Sequence, residues 1–182
     1  LREEEIPLYL AGAADVLRGR TMGYGIWTYR DYCNNKLFNA QFALGLEGWE
    51  GPRAKIEERD GNYGAVLSSG ASLSQNISSR QGGIAGEGVK VRFQAESSGT
   101  SDVTVRIGNV SKAVTISDVR QVDLDFGNVV LDEFYIQSRG ADLRIDDLKV
   151  YTWITEGEIY DFEGQPDSCL EGLRQLNGAL GE

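Results

Sequence analysis

Between residues 37 and 153 the chain is a series of short runs in which apolar and polar positions alternate, separated by Gly, Ser, Asn and Asp. The runs read AKIEER, GAVLSS, ASLSQNIS, VKVRFQAE, DVTVRIG, KAVTIS, QVDLDFG, EFYIQS and LRIDDLKVYTW. In VKVRFQAE, Val89, Val91, Phe93 and Ala95 face one way, and Lys90, Arg92, Gln94 and Glu96 the other. That period of two is a strand with one buried face. Val103, Val105 and Ile107, then Val122, Leu124 and Phe126, then Phe134 and Ile136, then Leu143 and Ile145 extend the same inward row. Turn signals recur at about the 8–12-residue interval of an all-β sandwich, which is the fold class expected here. Burying several such side chains at ~1.5–3 kcal/mol each offsets the chain entropy of a domain this size, so the sandwich is expected to be stable alone.

The flanks follow other rules. In LREEEIPLYLAGAADVLRGR, Ile6, Leu10, Ala13, Val16 and Leu17 share one face at helical spacing. With acidic residues at the front and Gly19 behind, this predicts a helix over 5–18. YGIWTY has aromatic and β-branched residues without helical period and predicts a strand at 23–29. A helix leading by a short turn into an apolar strand is the αβ half of a parallel unit. Beyond Trp153 the chain turns acidic and loop-like. It ends on CLEGLRQLNGAL, where Cys169, Leu170, Leu173, Leu176 and Leu180 make one stripe, giving a helix over 168–177. The expected organisation is therefore an αβ segment over 1–35, a sandwich over 36–154, and an acidic loop with a short helical tail over 155–182. The two flanks, each with an apolar stripe to bury, are expected to pack against the sandwich or each other.

Composition narrows the chemistry. The 182 residues are 41% hydrophobic and 25% charged, a globular balance. Net charge is −10, and no Lys/Arg run tracks a phosphate backbone, so nucleic acid is not an expected partner. His is absent, removing the commonest zinc ligand and the usual general base. Cys33 and Cys169 form no CxxC; they are either one long-range disulfide or two free thiols. No run is apolar for long enough to cross a membrane as a helix. The start LREEE lacks a basic signal-peptide n-region, and its lack of Met suggests a piece of a longer protein.

Three stretches carry a family likeness. KLFNAQFALGLEGWE supplies Asn39, Phe42 and Gly48-Trp49; ASLSQNIS supplies Gln75-Asn76-Ile77; LRIDDLKVY supplies Ile145-Asp146-Asp147-Leu148. In this order the chain resembles the jelly-roll carbohydrate-binding modules of the family four, nine and twenty-two kind. These open on N-x-x-F-E…GW, carry a Q-x-I strand and close on I-D-D-[VL]-x-[VL]. The resemblance implies a galactose-binding-like jelly roll, secretion, and a polysaccharide or oligosaccharide partner. It also implies a structural calcium ion held by Asp146, by an acidic residue near the opening motif and by carbonyls, as calcium's six to eight oxygens require. Ala43 stands where those modules have Glu, leaving Gln41 or a loop carbonyl to substitute. The alternative is a surface Asp pair at a β-bulge.

The stretch YLAGAADVLRGRTMGYGIWTYRDY resembles the last helix and eighth strand of a clan A TIM-barrel glycoside hydrolase. That likeness makes Trp27 a remnant of the barrel's sugar-site floor, and such sites lie at the C-terminal face of the strands. The two carboxylates of a retaining hydrolase, ~5–5.5 Å apart, come in that family from strands that this sequence does not contain. Glu3, Glu4 and Glu5 read as the solvated start of a helix. This polypeptide is therefore not expected to be an enzyme, whereas its parent is expected to be a glycoside hydrolase whose barrel is a partner of the sandwich.

Sugar capture needs an aromatic ring against the apolar face of a pyranose and polar side chains for its hydroxyls, all pointing away from the core. Alternation places Arg92, Gln94, Arg106, Tyr135, Gln137 and Arg144 outward. Tyr63, on the loop after RDGN, is either a stacking platform or turn packing. Trp49 reads as core, and Trp153 as cover for the sandwich edge. The GGIAGEG stretch lacks the Lys-Ser/Thr of a phosphate loop and reads as an inter-strand connection. The expected function is a non-catalytic module that holds its enzyme near glycan chains. It competes with a structural module that braces the barrel and binds no sugar, which the short CNNK connection favours. The binding reading requires the outward residues to converge.

Overall fold

The structure is a computed structural model that describes residues 12–13, 16, 32–80, 88–155, 160, 165–166 and 168–181. The chain divides into two compact units, Asn34–Trp153 and the flanks Leu1–Cys33 with Ile154–Glu182.

The first unit is a β-sandwich, as the alternation predicts, with the jelly-roll arrangement that the resemblance implies. Its strands are β2 (Ala54–Arg59), β3 (Asn62–Leu67), β4 (Ser72–Asn76), β5 (Val89–Ser97), β6 (Ser101–Ile107), β7 (Val110–Ile116), β8 (Arg120–Gly127), β9 (Glu133–Gly140) and β10 (Leu143–Tyr151); β1 (Tyr32–Cys33) and β11 (Ile154–Thr155) belong to the flanks. One sheet runs β2-β3-β10-β5-β8 and the other β4-β9-β6-β7, with antiparallel pairing throughout. The inward rows meet between them: Val91, Phe93, Val103, Val105, Ile107, Phe134, Ile136, Leu143 and Ile145 are fully buried. Edge strand β7 carries Lys112 on its inward row, opposite Val105, with the ammonium 5.9 Å from the Phe126 ring. An inward-pointing charge there discourages pairing with another chain.

The motif residues hold this frame. Gln75 is buried; its carboxamide oxygen accepts from the Phe38 N–H at 2.7 Å and its nitrogen donates to the Phe38 and Gly48 carbonyls at 3.0 Å each. Asn39 takes φ 48°, a left-handed conformation that Asn tolerates. From there its amide bonds Gly45 and Glu47 carbonyls and accepts from the Leu44 N–H. Trp49 is core, as expected: its ring lies 5.5 Å from Phe42 and 6.0 Å from Phe134, and its indole N–H donates to the Asn39 carbonyl. These bonds and ring contacts tie the 38–49 segment to β4 and β9.

In the flanks, Tyr32 and Cys33 pair with Thr155 and Ile154, joining the two segments. Residues 12, 13 and 16 are helical, within the expected 5–18 span, but Val16 is exposed although its periodicity assigns it to the apolar face. The expected strand at 23–29, with Trp27, lies outside the described residues, as do residues 82–87 of the GGIAGEG stretch. The C-terminal helix spans Ser168–Gly181, longer than expected, and buries Cys169, Leu173 and Leu176. Cys33 and Cys169 form no disulfide. Among the described residues no helix is long and apolar enough to cross a membrane.

Candidate functional site

The sandwich has two outer faces, and pairing register assigns each outward residue to one. On the five-stranded face, one row runs Glu57, Gly64, Asp146, Gln94 and Gln121, and the next holds Lys149, Arg92 and Asp123. On the four-stranded face, Ser74 lies opposite Tyr135, Tyr135 opposite Arg106 and Arg106 opposite Ser111. An isolated bridge between Glu50 and Ser74 extends that row by a carboxylate. The neighbouring row is Ser72, Gln137, Thr104 and Ala113.

The seven residues expected to form one sugar site therefore do not converge. Arg92, Gln94 and Arg144 lie on one outer face, and Arg106, Tyr135 and Gln137 on the other. The binding reading therefore fails in its seven-residue form, and Arg106, Tyr135 and Gln137 share a face without the other four. Tyr63 leaves it for a different reason: Asp60 and Gly61, at φ 53° and 81°, close a two-residue hairpin, so the strand resumes at Asn62. Tyr63 then shares the inward phase of Ala65 and Leu67 and packs against the core. It is not a loop platform.

On the five-stranded face the charged groups satisfy one another. Arg92 Nε reaches Asp123 at 2.6 Å, and Gln121 bonds the same carboxylate at 2.7 Å. Arg59 pairs with Glu96 and Glu57 at 2.8 and 2.9 Å; its hydrogen bonds to Glu96 first and then to Glu57 raise the guanidinium pKa above its ordinary value. Arg144 lies flat over Gly64, where a Cβ would come within 2.5 Å of its Cζ. It meets Asp146 at 3.2 Å, with the two side chains only 13% and 7% exposed. Its Nε is buried without a partner. Two surface depressions of ≈ 320 Å³ open on this face, one lined by Arg59, Glu96 and Arg144 among others, the other by Lys90, Arg92 and Tyr151 among others. Their charged walls are largely engaged in these pairs, and Tyr151 is buried.

Asp146 does not fit a calcium site. One carboxylate oxygen takes the Asn62 amide at 2.6 Å and the Arg144 guanidinium, and the other takes the Asp147 N–H at 2.7 Å. A cation already faces it. Asp147, at φ 47° in the β10 bulge, is paired with Lys149. Among the described residues no group of three or more acidic or Cys side chains gathers to hold a metal. The closing Asp pair does stand at a β-bulge, but Asp146 is buried rather than on the surface.

The four-stranded face is arranged differently. Arg106 Cζ lies 5.1 Å from the Tyr135 ring centroid, its Nη1 donates to the Gly108 carbonyl at 2.9 Å and its Nη2 pairs with Glu133. The ring is flanked on one side by this guanidinium and on the other by the small Ser74. Among the described residues the side chains of Glu50, Ser72, Ser74, Thr104, Tyr135 and Gln137 have no hydrogen-bond partner, and they are at least partly exposed. Unpaired donors and acceptors thus surround one aromatic ring. Sequence reading found Arg106, Tyr135 and Gln137 but missed Glu50, Ser72 and Ser74. The serines were legible, since alternation about Leu73 and Gln75 turns both outward; Glu50 was not, because it joins the sheet by a single bridge.

No protein-family model matches the chain, and no curated protein matches it. Solved structures resemble it. The carbohydrate-binding module TmCBM61 in complex with β-1,4-galactotriose aligns with a TM-score of 0.49 at 16% identity, covering 65% of this chain and 99% of that one. CsCBM6-3 from Clostridium stercorarium in complex with cellobiose gives 0.46 at 11%, covering 70% and 100%. The CBM22-1–GH10 modules of Clostridium thermocellum endo-1,4-β-D-xylanase 10B complexed with xylohexaose give 0.46 at 13%, covering 61% of this chain and 27% of that one. At identities this low the site has to be read from this chain's own residues.

Proposed function

We propose that the Asn34–Trp153 unit is a non-catalytic carbohydrate-binding module that takes a glycan chain on the outer face of its four-stranded sheet. One observation carries the reading: Tyr135 stands among hydrogen-bonding groups that have no partner among the described residues. A pyranose presents an apolar face and a rim of hydroxyls. The ring side next to Ser74 is open to the first, and Gln137, Ser72, Ser74 and Glu50 supply partners for the second. The order of the Asn39–Phe42–Trp49, Gln75 and Asp146 motifs supports the same assignment. In this reading the module belongs to a secreted glycoside hydrolase, whose barrel supplies the chemistry while the sandwich raises the local concentration of substrate.

Calorimetry or affinity electrophoresis against soluble β-glucan, galactomannan and xylan tests it. Binding to at least one polymer, lost on Tyr135→Ala with folding intact, is the expected result. Uniform absence of binding would overturn it in favour of a module that only braces the barrel, a reading supported by the self-paired five-stranded face.

A further inference from the structure

The Tyr135 face carries an arginine, and a free arginine in a sugar site is a bidentate receptor for a uronate carboxylate. Arg106 is not free. Glu133 takes one terminal nitrogen and the Gly108 carbonyl the other, while the guanidinium plane lies near the Tyr135 ring. Its charge is offset within the site, and each terminal nitrogen already has one acceptor. The remaining ionic groups in the neighbouring rows are Glu50, unpaired, and Asp102, which accepts from Thr115 at 2.8 Å and lies opposite the exposed Arg139. Glu50, Asp102 and Glu133 outnumber Arg106 and Arg139, on a chain whose net charge is −10. An anionic glycan would meet a neutralised arginine in an acidic field.

We propose that Glu133 is a specificity-determining residue: by occupying Arg106 it restricts the Tyr135 face to uncharged glycans and excludes uronic-acid polymers. This rests on the glycan-binding reading above. Glu133 acts through Arg106, without touching the sugar ring. Its pair with Arg106 is about one-third exposed on each side, at 34% and 37%, so losing it costs little stability.

The experiment compares wild type, Glu133→Gln and the double variant Glu133→Gln with Arg106→Gln. Each is titrated with the neutral polymer that binds best and with polygalacturonate at low salt, and thermal unfolding checks that each folds. Wild type is expected to bind the neutral polymer and to ignore polygalacturonate. Glu133→Gln should keep neutral binding within a few-fold and gain at least about tenfold in polygalacturonate affinity. The double variant should lose that gain, assigning it to the released guanidinium. Wild type binding both polymers equally, or Glu133→Gln gaining nothing, would overturn the inference while leaving glycan binding intact. Wild type binding no polymer would overturn the reading beneath it.

Discussion

The two outer faces of the sandwich draw on the same residue types, Arg, Asp, Glu, Asn and Gln, yet use them in opposite ways. Across the five-stranded sheet, Arg92 pairs with Asp123, Arg59 with Glu57 and Glu96, Arg144 with Asp146, and Lys149 with Asp147. Across the four-stranded sheet, one such pair, Arg106 with Glu133, flanks Tyr135, and the groups around them are unengaged. Hydrogen-bonding capacity already spent within the protein stabilises or specifies the fold; capacity left over beside an aromatic ring can serve a ligand. Residue type alone does not distinguish the two.

The sharpest way to break this comparison is Arg144→Met. It strands the Asp146 carboxylate, 7% exposed, with Asn62 and a backbone N–H but no cation. Removing one partner of a buried pair costs about 3–5 kcal/mol, and a slightly open pair such as this falls near about 3. Chemical denaturation should show that loss while glycan affinity stays within twofold. A large drop in affinity with unchanged stability would transfer the binding role to the five-stranded face.

Gly64→Val probes the same face from below. Any Cβ at residue 64 comes within 2.5 Å of Arg144 Cζ, so the guanidinium must lift away from Asp146. Overpacking of this kind costs about 1–3 kcal/mol. Its effect should shrink in an Arg144→Met background, where no guanidinium remains to be displaced, and a double-mutant cycle measures that coupling. Additive effects would show that the notch and the arginine act independently.

Tyr135→Ala is the counterpart on the other face. The partly buried ring lies on the outward row of β9, so unfolding free energy should shift by less than about 1 kcal/mol. Affinity for the bound glycan should fall at least about tenfold, the effect of losing ~1.4 kcal/mol from one aromatic anchor. Equal losses of stability and affinity would mean that Tyr135 acts by shaping the sheet.

How much of this was visible in the sequence follows from the topology. Alternation separates inward from outward correctly along β5, β6, β9 and β10 and places the rows through Phe93 and Phe134 in the core, whereas the core position of Trp49 follows from the family resemblance. It says nothing about which outer face a residue reaches, because that depends on which sheet the strand joins. Here β5 and β6 are consecutive but belong to opposite sheets, as do β9 and β10. Gln94 and Arg106, or Tyr135 and Arg144, are therefore near in sequence and on opposite faces of the molecule. Tyr63 was misread because the Asp-Gly turn is tighter than a general loop, which returns the next residues to strand geometry at once. The proposed sugar site keeps three of the seven expected residues, Arg106, Tyr135 and Gln137, and adds Glu50 and two serines brought beside them by long-range pairing.

The smallest effect expected is none at all, and it concerns calcium. The closing Ile145-Asp146-Asp147-Leu148 motif resembles one that supplies a calcium ligand, but here the positive charge comes from side chains. Arg144 faces Asp146, and Lys149 faces Asp147 across the β10 bulge. A calcium ion at Asp146 would have to displace a guanidinium and an amide from a side chain with little access to solvent, and would find no cluster of acidic oxygens among the described residues to complete its shell. A ligand that binds only the folded state raises stability by mass action, so calcium held by this motif would raise the unfolding temperature with concentration. Unfolding followed in excess chelator and in millimolar calcium should give the same midpoint for wild type. A calcium-dependent rise that disappears in Asp146→Asn would show that the ion competes successfully with Arg144, and the five-stranded face would then be a metal site as well as a brace.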